Sequence, residues 1–283
     1  MIDRCEVEFV RHLLRAGRAV SRKALAESFG VPDLENLLES LGQAGFAFAR
    51  DTESIQLLSE PESLVPHAIM ARLETETIGR VVLVYRETSS TNDLARRAGS
   101  AGAAEGIVFF AEHQTAGRGT HGRKWVSPPN QGLCLSVLLR SQLPLDQCPL
   151  LIQMGALAAA ATVERWIEQP VYIKPPNDLM LGGRKLGGFL LETSNSWDFQ
   201  VLGIGINVRS APQIEGCRTA ALDKFSKYRV PMAILASELL SRFEDWYLRT
   251  PLECVAPAFA ARIRTIPAKL DSTGGSGSLG FGG

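Results

Sequence analysis

The chain has 283 residues, enough for two domains or for one domain with a small appendage. With 45% hydrophobic and 21% charged residues it has the composition of a soluble globular protein with a sizeable core, and its formal net charge of zero excludes a global attraction to nucleic acid or to a membrane surface. The longest apolar run, Met154 to Val163, is too short to span a bilayer, and Asp3, Arg4 and Glu6 are not the opening of a secretory signal. The five cysteines are odd in number, scattered and without metal-ligand spacing, which points to a reduced, cytoplasmic compartment.

Residues 1–62 read as a winged helix-turn-helix. Val7, Val10, Leu13 and Leu14 repeat at helical spacing. Ser21 caps a second helix through Phe29, and Gly30 makes the turn. Val31 to Ala44 reads as the third helix, with Leu34, Leu37, Leu38 and Leu41 on one face. Phe46–Phe48 and Ile55–Leu58 form the wing. The would-be recognition helix holds Asp33, Glu35 and Glu39 and no lysine or arginine, which makes DNA binding doubtful, because DNA affinity comes mainly from neutralised phosphates.

Residues 63–80 read as a linker with a helical stretch, and 81–270 as a larger α/β unit. Its expected elements are a strand at Val81–Tyr85, a helix capped by Ser90-Thr91-Asn92-Asp93 and running through Ala98, strands at Ile107–Ala111 and Leu133–Leu139, and an alanine-rich helix at Leu150–Glu168. A hairpin follows, turning at Gly182-Gly183 between Val171–Ile173 and Phe189–Leu191. A strand at Gln200–Val208 and a helix at Met232–Leu248 complete the list, and the glycine- and serine-rich residues 271–283 read as a flexible tail. The fold class is α+β, a winged helix followed by a mixed sheet.

Two polar clusters carry the chemistry. Gly117 to Trp125 packs Gly117, Gly119 and Gly122 with Arg118, Arg123 and Lys124, and closes on Trp125. Glycines let backbone N–H groups turn toward an anion, cations supply charge, and tryptophan offers a stacking face. The second cluster is Lys174-Pro175-Pro176-Asn177-Asp178 with Arg184, Lys185, Gly187 and Gly188 around the turn. Each has a plainer reading: a surface hairpin, arginines paired with local acids, a core tryptophan, a strand bulge at Gly187-Gly188. His113 and His121 show no partner in the sequence and read as solvated loop residues.

Taken together, Ser90-Thr91-Asn92, Gln114, Ala116–Gly119, Gly122–Trp125, Pro176-Asn177-Asp178, Arg184-Lys185-Leu186 and Gly203–Asn207 resemble, in order and spacing, the biotin–protein ligases across about residues 83 to 208. The front unit resembles the winged helix of the bifunctional ligase/repressors. The resemblance implies a catalytic domain of the biotin/lipoate ligase type, with biotin, ATP and Mg²⁺ as its small ligands and a biotin carboxyl carrier protein as its partner. It also implies a possible homodimer of side-by-side sheets. The implied reaction activates biotin as biotinyl-5′-AMP and transfers it to a carrier lysine. The resemblance implies Lys185, Arg118 and Asp178 as catalytic groups. It implies ligand contacts from Ser90, Thr91, Asn92, Gln114, Gly117, Gly119, Gly122, Arg123, Trp125, Asn177, Gly187, Gly188 and Asn207, and Mg²⁺ on Asn177 and Asp178.

Three departures from the family pattern stand out. Thr120 and His121 lie where repressor-type members commonly carry arginines, and Pro175 replaces a common tryptophan. Ile266–Leu270 looks like the start of an SH3-like C-terminal domain that reads as truncated. The alternatives are a lipoate- or octanoate-protein ligase and a biotin-responsive transcriptional regulator.

Overall fold

The structure is a computed structural model that describes residues 3–30, 33–126 and 128–263. The expected SH3-like start and the glycine-rich tail lie outside the described residues. The front unit is α1 (Arg4–Ala16), β1 (Val20–Ser21), α2 (Arg22–Phe29), α3 (Leu34–Gln43), β2 (Ala47–Arg50) and β3 (Ser54–Ser59), its strands ordered β1-β3-β2. Each helix carries its own punctuation. Asp3 accepts from Cys5 N at 2.9 Å, Ser21 caps α2, and Gly17 and Gly30 end α1 and α2 in the left-handed region. The third helix is shorter than the periodicity predicts, because Asp33 caps it at Asn36 N (3.0 Å) and so fixes its start at Leu34.

The stretch read as a linker is packed rather than free. It contains α4 (Pro66–Met70), and Leu64, Ala68, Ile69, Ala71, Leu73 and Ile78 are buried in one apolar cluster with both the front unit and the larger sheet. Arg11 on α1 donates to the carbonyls of Met70, Ala71 and Leu73 at 2.9 to 3.0 Å, closing the exposed end of α4.

Then come β4 (Val82–Thr88), α5 (Thr91–Ser100), β5 (Val108–Gln114), β6 (Gly132–Leu139), α6 (Pro149–Glu164), β7 (Val171–Lys174), β8 (Asp178–Leu181), β9 (Arg184–Thr193), β10 (Gln200–Asn207), α7 (Met232–Glu244) and α8 (Leu252–Ala261). The strands form one seven-stranded sheet, β4-β5-β6-β10-β9-β8-β7, in which only β4 and β5 are parallel neighbours. Helix α6 packs on one face together with α7 and α8, and its alanines let it lie close: a Cβ at Gly155 would stand 3.0 Å from Leu202. Helix α5 covers part of the other face over Phe109, Leu138, Phe199 and Val201.

The expected single hairpin is a three-strand meander. Pro175-Pro176-Asn177 forms the turn between β7 and β8, and Gly182-Gly183, with φ of 55° and 73°, forms the turn between β8 and β9. The apolar Leu179-Met180-Leu181 is a strand of its own, too short for its alternation to show beside the prolines. This puts Asp178 at the head of β8 and Arg184-Lys185 at the head of β9, so the polar groups collect at strand ends.

Candidate active site

The floor of the site is the sheet face opposite α6. Residues directly paired across antiparallel strands share a face, so Ser136, Gly203 and Leu190 line up, as do Cys134, Gly205 and Gly188. Two of these positions require glycine. A Cβ at Gly203 would lie 2.4 Å from Asn92 Oδ1, and one at Gly205 would lie 2.5 Å from the Trp125 ring. The bare strand lets the start of α5 and the indole rest on the sheet.

A polar network builds the wall at α5. Ser90 occupies the cap position but makes no side-chain cap bond, contrary to the expectation that it caps the helix. Gln114 at the end of β5 takes over: its Oε1 accepts from Thr91 N at 2.8 Å and lies 3.2 Å from Thr91 Oγ1. Ser136, fully buried, places its hydroxyl 2.5 Å from Asn92 Oδ1 and 2.7 Å from Thr91 Oγ1. Asn92 Nδ2 donates to Glu192 Oε2 at 2.8 Å. Buried polar groups satisfied in this way hold one geometry.

The glycine-rich loop folds back on itself. Trp125 N donates to Gly117 O (2.9 Å), Gly119 N donates to Arg123 O (2.7 Å), and His121 and Gly122 turn the chain in the left-handed region. Arg123 Nη2 donates to Thr120 Oγ1 (2.8 Å), and Asn177 Nδ2 reaches the same oxygen at 3.4 Å, joining the loop to the second cluster. Trp125 buries its Nε1–H without an acceptor among the described residues, although buried polar groups nearly always have one.

Loop and meander enclose a cavity of about 550 Å³. Of the residues singled out in the sequence, Ser90, Thr91, Asn92, Gln114, Arg118, Gly119, Arg123, Trp125, Asn177, Lys185, Gly188 and Asn207 line it. Four do not. Gly117 backs onto the Trp125 carbonyl, 2.6 Å from where its Cβ would be; Gly187 lies equally close to Gly205 O; Gly122 is a turn residue with open space beside it; and Asp178 lies behind Lys185.

Two of the four cations that line the cavity are paired with carboxylates. Arg118 donates to both oxygens of Asp93 (2.7 and 3.1 Å) and lies 3.4 Å from Glu192. The hydrogen bonds from Arg118 hold the Asp93 carboxyl below the usual carboxylate range, and Asp93 in turn raises the arginine. Lys185 Nζ stands 2.6 Å from Asp178 Oδ1, a close but poorly aligned ion contact rather than a well-directed hydrogen bond. The plainer reading of the arginines as partners of local acids therefore holds for Arg118, which lines the cavity as well. His113 also has a partner, Glu87 Oε2 at 2.9 Å, supplied by the neighbouring strand.

Asn177 and Asp178 do not fit a resident metal. The ammonium of Lys185 occupies the Asp178 carboxylate, Asn177 donates to Phe189 O at 2.7 Å, and no group of three or more His, Cys, Asp or Glu among the described residues could hold an ion. One wall escaped the sequence reading. Residues 212 to 219, including Ile214 and Thr219, close the cavity beside Lys185, tied by Lys185 N to Arg218 O and Ala220 N to Lys185 O, both 2.8 Å. They form no long strand or helix, so no periodicity marks them. Asp93, Glu192 and Ser136 were missed too, because their partners are distant in sequence. No helix among the described residues is long and apolar enough to cross a membrane.

A mixed sheet with a glycine-bared face, crossed by a basic loop and a lysine-bearing meander, makes a cavity whose cations suit a carboxylate and a phosphate. The model of the Biotin/lipoate A/B protein ligase family matches residues 84–208. The chain is 32% identical over 243 residues to the Bacillus subtilis bifunctional ligase/repressor BirA, covering 81% of this chain and 74% of that protein. It is 36% identical over 197 residues to the Mycobacterium tuberculosis biotin--[acetyl-CoA-carboxylase] ligase, covering 66% and 72% of the two chains. The Leishmania major biotin protein ligase, solved in complex with biotinyl-5-AMP, superposes with a TM-score of 0.59 at 26% identity, covering 65% of this chain and 82% of that one. The chain belongs to the biotin protein ligase family.

Proposed function

We propose that this cavity joins biotin to AMP and passes the biotinyl group to a lysine of a carrier protein. The observation that carries the reading is that Arg118 and Lys185, from separate stretches of chain, line one cavity whose shape suits a small molecule. Relatives named as ligases of biotin to acetyl-CoA carboxylase support the substrate and the carrier class.

In the first step a biotin carboxylate oxygen attacks the α-phosphorus of ATP, and the bond to the departing pyrophosphate breaks. Two anions meet, so positioned cations dominate the barrier. Lys185 bridges the carboxylate and the α-phosphate, exchanging Asp178 for substrate oxygens. Arg118 holds the developing charge, with Arg123 toward phosphate, while the Gly119 N–H stays on Arg123 O and keeps the loop in shape. Trp125 offers its face to the adenine and its unpaired Nε1–H to a ligand acceptor. Ser90, Thr91, Asn92 and Gln114 present amides and hydroxyls to a polar ring system. In the second step the carrier amine attacks the carbonyl carbon, AMP leaves, and the amine proton departs to a carboxylate, a role assigned to Asp178 beside Lys185. A magnesium ion would arrive with the triphosphate of the nucleotide and offset part of its charge.

The test mixes the full chain with biotin, ATP and a biotin carrier domain. The expected result is pyrophosphate release and a carrier heavier by one biotinyl group. Lys185→Ala should lose at least a hundredfold in pyrophosphate release, about 2.7 kcal/mol of transition-state stabilisation, while its thermal midpoint stays near that of the wild type. Near-normal turnover in that variant would remove Lys185 from the mechanism. Lipoate in place of biotin separates the nearest enzymatic rival. Biotin binding without pyrophosphate would favour a sensor.

A further inference from the structure

Two carboxylates hold Arg118 from behind the cavity wall. Asp93, in the first turn of α5, accepts from Nη2 at Oδ1 and from Nη1 at Oδ2, at 2.7 and 3.1 Å. Glu192, on β9, faces Nη2 with both oxygens at 3.4 Å and also accepts from Asn92 Nδ2 at 2.8 Å. Neither acid lines the cavity, whereas Arg118 and Asn92 do. Pairing of Gly117 O with Trp125 N and of Gly119 N with Arg123 O fixes the main chain at Arg118 but not its long side chain, and a free arginine side chain samples many rotamers. The two acids remove that freedom before any ligand arrives. Of the five guanidinium N–H groups, Nε–H and the second Nη1–H have no protein acceptor among the described residues.

We propose that Asp93 and Glu192 are positioning residues for the adenylation step, fixing the plane of the Arg118 guanidinium so that its two remaining donors meet the reacting oxyanions in one orientation. This rests on the function proposed above. Charge alone gives the opposite expectation: deleting an acid strengthens the cation's field and improves anion binding. Orientation acts on the chemical step instead, where a small misplacement costs rate. The two effects therefore leave a split signature, in which turnover falls while ground-state affinity does not weaken.

The experiment measures steady-state pyrophosphate release, with biotin and ATP, for wild type, Asp93→Asn and Glu192→Gln in the full chain, with thermal unfolding recorded beside each. The expected result is a kcat lowered tenfold or more in Asp93→Asn, KM for ATP and biotin unchanged or lowered, and partial recovery in Asp93→Glu. Adding Asp93→Asn to Arg118→Lys should cost little more, because both act through one guanidinium. A kcat within twofold of wild type, a raised KM with kcat kept, or additive losses in the double variant would overturn the proposal. Should Asp93→Asn not fold, the same criteria apply to Glu192→Gln. A wild-type chain that releases no pyrophosphate removes the ligase reading itself, and the inference with it.

Discussion

At Gly205 the absence of a side chain carries as much information as any catalytic group. The Trp125 ring occupies the space where a Cβ would be, 2.5 Å from its nearest atoms. Gly205→Ala is therefore expected to push the indole off the sheet and weaken nucleotide binding on the order of tenfold, about 1.4 kcal/mol, measured by calorimetric titration with ATP. Unchanged affinity would mean that the ring is not part of the adenine site. The cations, loop glycines and Trp125 were legible in the sequence because their types are rare together. Their partners were not. In the sequence nothing separates Asp93 from any first-turn acid or Glu192 from any polar strand residue, since the contacts joining them to Arg118 span 25 and 74 positions.

Among the elements, the segment after the front unit has the least expected role. Glu244, fully buried at the end of α7, accepts from the backbone N–H groups of Glu76, Thr77 and Ile78 at 2.7 to 2.8 Å, and Arg249 lies 3.2 Å away. Burying a carboxylate is costly unless it is met by donors, and here four converge. Glu244→Ala leaves three N–H groups unmet and should destabilise the protein by about 3–5 kcal/mol, read from chemical denaturation. A loss under 1 kcal/mol would show that water replaces the clamp. Sequence periodicity found α7 but gave no sign of this clamp, because an acid in a helix reads as a solvated face. The strands β5, β6 and β10 were legible as continuous apolar runs. Strand β8, four residues between a proline turn and a glycine turn, was not, and so a meander was read as a hairpin.

Across the whole molecule, one apolar cluster runs from α1 through α4 into the sheet, so the winged unit is docked on the ligase body rather than tethered to it. Its third helix is less bare of cations than the sequence alone indicated, because Arg22 and Arg50 both reach Glu35. Those arginines pair with Glu35 at the surface of the unit. The pairing of charges recurs at the cavity, where Arg118 faces Asp93 and Glu192, and Lys185 faces Asp178. Arg123 and Lys124 line it as well, but with Glu215 on the wall the four cations face four carboxylates in and behind the cavity, so the mouth projects little field into solvent. Long-range steering then contributes little, and ATP and biotin must be captured by collision, with discrimination resting on how slowly the right pair escapes. Stopped-flow association rates should change less than about threefold between low and physiological ionic strength, while a steep fall with added salt would reveal a field that this pairing does not predict.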